Sequence, residues 1–160
     1  MSLMGRKITV AGAGIGGLAA ALCLQRKGAC VTVLEQADAI SEVGAGLQLS
    51  PNGVAVLRAL GLEKGLRETS DQARAVVLRD YVGGGEVLRL DLERHAGDQA
   101  FFFVHRSDLI TLLADAARDA GVHVRLLQNV ARIDPDDEAP TVWLSNGAQV
   151  RPDLVVGADG

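Results

Sequence analysis

The sequence predicts an α/β fold: a parallel βαβ sheet, an antiparallel β-meander, and the beginning of a second, β-rich domain. Three observations predict it. Short apolar runs alternate with one longer apolar segment over the first sixty residues, a glycine-rich turn joins the first run to that segment, and hairpin signals at Gly83-Gly84-Gly85 and Asn146-Gly147 later break the rhythm.

Residues 7–11, Lys-Ile-Thr-Val-Ala, read as the first strand and residues 12–17 as the turn. From Ile15, the apolar positions Leu18, Ala19 and Leu22 recur at helical spacing, Gln25, Arg26 and Lys27 place polarity in the last turn, and Gly28 stands where a helix C′ glycine belongs. Residues 29–35 are rich in β-branched residues and too short for an independent helix, which predicts a second strand, parallel to the first through a right-handed crossover. A surface loop leads to Ser50, an N-cap, and Pro51, a first helical residue, opening a helix through Val54, Leu57 and Leu60 to Gly61. Residues 75–80 and 86–91 form an antiparallel hairpin. Residues 101–104 are a strand, and Ser107 caps a helix carrying Leu109, Leu112, Leu113, Ala116 and Ala117 to Gly121. Residues 122–127 return to strand, a meander runs from Val130 through 141–144, and Asn146-Gly147 signals a type I′ turn. Residues 153–160 close as a buried strand entering a tight turn. One domain thus comprises 1–74 and 100–160, with 75–99 a hairpin of the second. A doubly wound sheet continues from such a strand into a covering helix, so the sequence reads as part of a longer chain, with Met1 to Leu3 an artificial cloning remnant before a second start at Met4.

Composition narrows the function. The 160 residues are 48% hydrophobic and 22% charged, enough for a real core. Sixteen Lys and Arg against twenty Asp and Glu give a net charge of −4 without a basic stripe, which excludes nucleic acid as a partner. The richest apolar run, 15–24, stops short of the roughly 20 residues a bilayer requires, so no membrane span is expected. Cys23 and Cys30 have neither disulfide-framework nor zinc spacing, and the expected compartment is the cytoplasm. His95, His105 and His123 are isolated from other metal-ligating residues, and Trp143 and Tyr81 read as core or sheet-packing residues.

Gly12-Ala13-Gly14-Ile15-Gly16-Gly17 matches the GxGxxG dinucleotide fingerprint directly after a strand and at the opening of a helix. The first glycine permits the tight turn, the second lets backbone approach a pyrophosphate at the helix N-terminus, and the third lets helix and strand pack closely. Glu35 ends the second strand eighteen residues beyond Gly17, where a carboxylate accepts from adenosine ribose hydroxyls and repels a 2′-phosphate. The alternative is a glycine-rich turn used only for packing. NAD and FAD share the ADP half that this fingerprint reads, so it does not choose between them.

Further motifs choose. In order, 12–17, Glu35, the segment Gly44-Ala45-Gly46-Leu47-Gln48-Leu49-Ser50-Pro51-Asn52-Gly53, then His105-Arg106-Ser107-Asp108-Leu109 and 153–160 resemble the single-component flavoprotein aromatic hydroxylases of the p-hydroxybenzoate hydroxylase superfamily. The likeness is greatest to the branch containing salicylate hydroxylase and 3-hydroxybenzoate 6-hydroxylase and covers nearly the whole chain. It implies a Rossmann-like FAD-binding domain whose cofactor residues are Gly12, Gly14, Ile15, Gly16, Gly17, Glu35, Gln36, Gly46, Leu47, Arg106, Val130 and Asp159. Glu35 would hold ribose, Arg106 the ribityl and pyrophosphate region, the Val130 backbone the adenine, and Asp159 the pyrophosphate region. Gly44 and Gly46 would let backbone lie beside the isoalloxazine. The resemblance further implies FAD as cofactor, NADH or NADPH as co-substrate, and O2 and a small phenolic acid as partners, with hydroxylation through a flavin C4a-hydroperoxide. It supplies no catalytic side chain and no oligomeric state. An FAD-dependent epoxidase or oxidase, an NAD-dependent dehydrogenase and a non-enzymatic interaction fragment remain as alternatives at this point.

Overall fold

The computed structural model describes residues 2–40, 44–96, 99–135 and 139–160. The chain divides into two compact units, Met1–Val43 with Leu109–Gly160, and Gly44–Asp108. In order it forms β1 (Lys7–Ala11), α1 (Ile15–Arg26), β2 (Cys30–Leu34), β3 (Gly46–Leu49), α2 (Pro51–Ala59), α3 (Glu63–Glu68), β4 (Ser70–Gln72), β5 (Ala75–Arg79) and β6 (Glu86–Asp91). There follow α4 (Leu92–His95), β7 (Phe102–His105), α5 (Arg106–Asp119), β8 (His123–Arg125), β9 (Val130–Asp134), β10 (Thr141–Leu144), β11 (Gln149–Val150) and β12 (Leu154–Gly157).

The first unit is built on a parallel sheet of order β12-β1-β2-β8. Ile8, Val10, Val31 and Val33 of the two middle strands, which share one face of the sheet, are fully buried. Helix α1 packs on β1 and β2 through Leu18, Ala21 and Leu22, and Gly28, at φ +87, ends it as expected. The meander β9-β10-β11 adds a smaller cluster of Val142 and Leu144 with Leu34. The second unit holds the antiparallel sheet β3-β7-β4 and the expected hairpin β5-β6. Among the described residues no helix is long and apolar enough to cross a membrane.

Several expectations are corrected. The supposed loop before Ser50 is strand β3: Leu47 and Leu49 face inward and pair with Val104 and Phe102 of β7. Ser50 stands at the N-cap of α2 without a side-chain capping bond, because its hydroxyl donates to Asn52 Oδ1 instead. Helix α5 starts at Arg106, one residue before the serine expected to cap it. A type I′ turn needs positive φ at both central residues, but only Gly147 (φ +84) has it. The chain instead uses a three-residue loop in which Leu144 accepts from the Gly147 N–H (2.9 Å) and donates to the Ala148 carbonyl (2.9 Å). Asn146 is held there by accepting from the Ala148 N–H at 3.0 Å. Tyr81 is 96% exposed in the β5–β6 turn and packs in no core, whereas Trp143 is half-buried with its Nε1–H donating to Asp134 at 2.8 Å. The strand expected over 122–127 ends at Arg125, because Leu127 takes a left-handed φ of +55.

Candidate functional site

Strand β1 delivers the chain to Gly12, whose N–H donates to the Leu34 carbonyl at 2.8 Å. Gly12 has φ +107, and a Cβ there would lie closer than 3.0 Å to the Ala158 carbonyl. The turn after β12 thus sits directly against the glycine loop, with exposed Asp159 following. A Cβ on Gly17 would intrude within 3.0 Å of the Gly12 carbonyl. These two glycines are demanded by the fold itself.

Gly14 and Gly16 differ. A Cβ on either would meet nothing within 4 Å, and Gly14, with φ −69 and ψ 177, occupies backbone space that any residue adopts. Nothing within the chain requires glycine at 14. Gly14 is the N-cap of α1, which has no side-chain cap and no acid in its first turn, so its leading N–H groups face an open cradle suited to an anion.

Glu35, one residue past β2, closes this cradle. Its Oε2 accepts from the Ala13 N–H at 2.7 Å and its Oε1 from the Ala37 N–H at 2.9 Å. Each carboxylate oxygen retains a second acceptor direction. Ala13, Gly14, Glu35, Ala37 and Ile40 line a cleft of about 110 Å³. Gln36 is exposed between the two residues of this clamp. The switch point of the sheet, between β1 and β12, lies at the same carboxyl ends, where open α/β sheets take ligands.

The remaining expected residues fall as follows. Val130 opens β9, its side chain packed against the cluster of Leu34, Val142 and Leu144. Gly12, Gly14, Ile15, Gly16, Gly17, Glu35, Gln36, Val130 and Asp159 all belong to the first unit, and Gly46, Leu47 and Arg106 to the second. There Gly46 and Leu47 pair with His105 and Val104, and a Cβ on Gly44 would touch the aliphatic stem of Arg106 at 3.7 Å. The structure therefore gathers Gly44, Gly46 and Arg106 at one end of the β3–β7 ladder. The sequence reading missed a larger cleft in this unit, about 360 Å³, lined by Gly46, Glu68, Ser70, Phe103 and His105. Its signal was the alternation of β7, which buries Phe102 and leaves Phe103 50% exposed. Among the described residues, no group of three His, Cys, Asp or Glu side chains is arranged to hold a metal ion.

Comparison with known proteins agrees with this geometry. Residues 6–160 match the family described as the FAD binding domain. The 3-amino-4-hydroxybenzoate 2-monooxygenase of Streptomyces cremeus is 36% identical over 161 residues, covering 96% of this chain and 39% of that protein. The 3-hydroxybenzoate 6-hydroxylase of Polaromonas naphthalenivorans strain CJ2 is 36% identical over 157 residues, again covering 96% and 39%. The solved structure of 2-methyl-3-hydroxypyridine-5-carboxylic acid oxygenase superimposes with a TM-score of 0.86 at 28% identity, covering 98% of this chain and 40% of that one. The chain spans about two fifths of the length of the curated relatives it matches.

Proposed function

Because the chain belongs to the FAD binding domain family, we propose that it supplies the flavin site of an NAD(P)H-consuming monooxygenase that hydroxylates a small aromatic acid bearing a ring hydroxyl. The observation that carries the reading is the cradle at Gly14: helix N–H groups, an open glycine and the Glu35 carboxylate converge on one cleft. The substrate class is supported by the names of the relatives, each of which joins a hydroxyl and a carboxylate on one aromatic ring.

In this reading the first-turn amides of α1 bind the pyrophosphate, the free lone pairs of Glu35 accept from the adenosine ribose, and the Val130 main chain meets the adenine. Gly46 and Leu47 border the ring system, Arg106 offers fixed donors to phosphate or ribityl oxygens, and Asp159 orders the turn against Gly12. Bound FAD would supply the redox chemistry, accepting two electrons from reduced nicotinamide and activating O2 for transfer of one oxygen atom. We assign the hairpin 75–99 to a substrate domain; β5 and β6 pair only with each other among the described residues. Two unpaired thiols, Cys23 and Cys30, fit a cytoplasmic enzyme.

The test is to purify the encoded protein, record its visible spectrum, and follow NAD(P)H consumption and products with a panel of hydroxybenzoates and hydroxypyridine carboxylates. The expected result is bound flavin and a hydroxylated product from at least one acid. A colourless protein that retains NAD refutes the FAD assignment. A flavoprotein that yields only hydrogen peroxide with every acid refutes the hydroxylase assignment.

A further inference from the structure

Leu127 combines two properties that a fold does not ordinarily tolerate together. It is the one described non-glycine residue in the left-handed region, at φ +55, and its large apolar side chain is 68% exposed. Bulky L residues avoid that conformation, and a glycine or asparagine would occupy it more readily. An exposed leucine recovers no burial in return.

The surroundings hold it there firmly. The Leu127 N–H donates to the Ala37 carbonyl at 3.0 Å, the Gln128 N–H to the Glu35 carbonyl at 2.8 Å, and the Glu35 N–H to the Arg125 carbonyl at 2.9 Å. The Gln128 side-chain amide adds bonds to the Leu126 and Leu127 carbonyls, at 3.2 and 3.0 Å. Three main-chain hydrogen bonds thus tie the turn after β8 to the segment that carries the Glu35 carboxylate, and two more from the Gln128 side chain brace the turn internally. Strain kept by so many constraints points to a task for the residue that bears it.

Position in the sheet identifies that task. Leu34 of β2 and Arg125 of β8 are the last register pair, so Glu35 and the Leu126-Leu127 turn emerge side by side at the carboxyl edge. In the order β12-β1-β2-β8, the Gly14 cradle follows β1 and Glu35 follows β2. A nucleotide with its phosphates on the cradle and its ribose at Glu35 has its base carried onward to the end of β8. We propose that Leu127 is an adenine-binding residue, its left-handed backbone holding an apolar side chain against the base of the bound nucleotide. The inference rests on the nucleotide reading of the Glu35 cleft.

The experiment compares Leu127→Gly and Leu127→Met with the unaltered protein, each as the complete encoded chain stripped of ligand. FAD and AMP affinities are measured by titration, and the ligand-free thermal midpoint by melting. Leu127→Gly should weaken both nucleotides by about five- to twentyfold, the effect of removing a largely covered aliphatic contact. Its midpoint should equal or exceed that of the unaltered protein, because glycine relieves the strained φ. Leu127→Met, which keeps an apolar side chain, should retain most of the affinity. Unchanged FAD and AMP affinity in Leu127→Gly overturns the proposal, as does a loss accompanied by a lowered midpoint or an equal loss in Leu127→Met. Failure of the unaltered protein to bind either FAD or AMP overturns the cleft reading itself. A Leu127→Gly variant that binds normally removes only this residue.

Discussion

The four glycines of the loop separate cleanly by what each one serves, and a pair of substitutions measures that separation. At Gly17 a Cβ would stand within 3.0 Å of the Gly12 carbonyl, so Gly17→Ala must push α1 away from the loop. Overpacking of this kind costs about 1–3 kcal/mol. At roughly 2–4 °C per kcal/mol for a protein of this size, the ligand-free midpoint should fall by roughly 2–12 °C. At Gly14 an added Cβ meets nothing within 4 Å, and Gly14→Val needs no change from φ −69 and ψ 177. Restricting the unfolded chain favours it by about 0.4–1 kcal/mol, and the poorer N-cap preference of valine opposes it by a similar amount. The ligand-free midpoint should therefore stay within about 4 °C of the unaltered value. The nucleotide response should nevertheless vanish. FAD at one hundred times its dissociation constant stabilises by about 2.7 kcal/mol, a rise of roughly 5–11 °C in the unaltered protein, and Gly14→Val should show no rise. Melting with and without FAD, alongside visible absorbance of the purified variants, reads both effects. If Gly14→Val binds FAD normally, or loses as much ligand-free stability as Gly17→Ala, the assignment of the open space at 14 to a ligand is wrong.

Three further outcomes follow from named contacts. Glu35→Gln replaces a double acceptor with one acceptor and one donor, setting an amide N–H against the N–H of Ala13 or Ala37; loss of a charge-assisted bond worth about 1.5–3 kcal/mol should weaken FAD binding by at least tenfold in a titration. Glu63 is hydrogen-bonded first to Arg58 and then to Arg67, which together hold its carboxyl at about 2, against an ordinary 4.5. A depressed carboxylate stabilises above its unfolded value, and that stabilisation is lost as pH falls from about 4.5 through about 2, so urea midpoints of Glu63→Gln should approach those of the unaltered protein at the acid end of this window and lie below them above it. Gly147→Ala should destabilise by about 1–2 kcal/mol in urea unfolding, while Asn146→Gly, which a type I′ turn would welcome, should give no stabilisation.

What the sequence made legible is local. The strand, turn and helix from Lys7 to Arg26 lie within one run of chain, and Gly12 and Gly17 meet neighbours that this βαβ geometry itself places. Strand β3 was hidden because its four residues gain their meaning from β7, more than fifty positions later, and Gly46 and Gln48 read as loop until Leu47 and Leu49 are paired. Helix α3 and strand β4 were missed for the same reason, since a six-residue amphipathic helix is marginal alone and here is anchored by buried Leu66. The turn at Asn146-Gly147 misled because the dipeptide fits two hairpin loops, and only the bond from Ala148 to the Asn146 side chain selects the longer one. Of the candidate site, the glycines and Glu35 were readable from spacing. The clamp that Glu35 forms with Ala13 and Ala37 was not, because it depends on where two main-chain N–H groups point.

That clamp changes what the acidic residue does. A carboxylate free in solvent would have to be ordered, and the Ala13 peptide aligned, each time a nucleotide arrived. Here both oxygens are already fixed by N–H donors, at 2.7 and 2.9 Å, and the loop amides that follow Ala13 are fixed with them. Ordering that precedes binding is not subtracted from affinity. The same bonds keep the carboxylate oriented with its remaining lone pairs available, so one side chain both shapes the anion cradle and presents the acceptor for the sugar. Conserving the charge alone is therefore insufficient: an aspartate, shorter by one methylene, retains the charge but not the reach that spans Ala13 and Ala37 together.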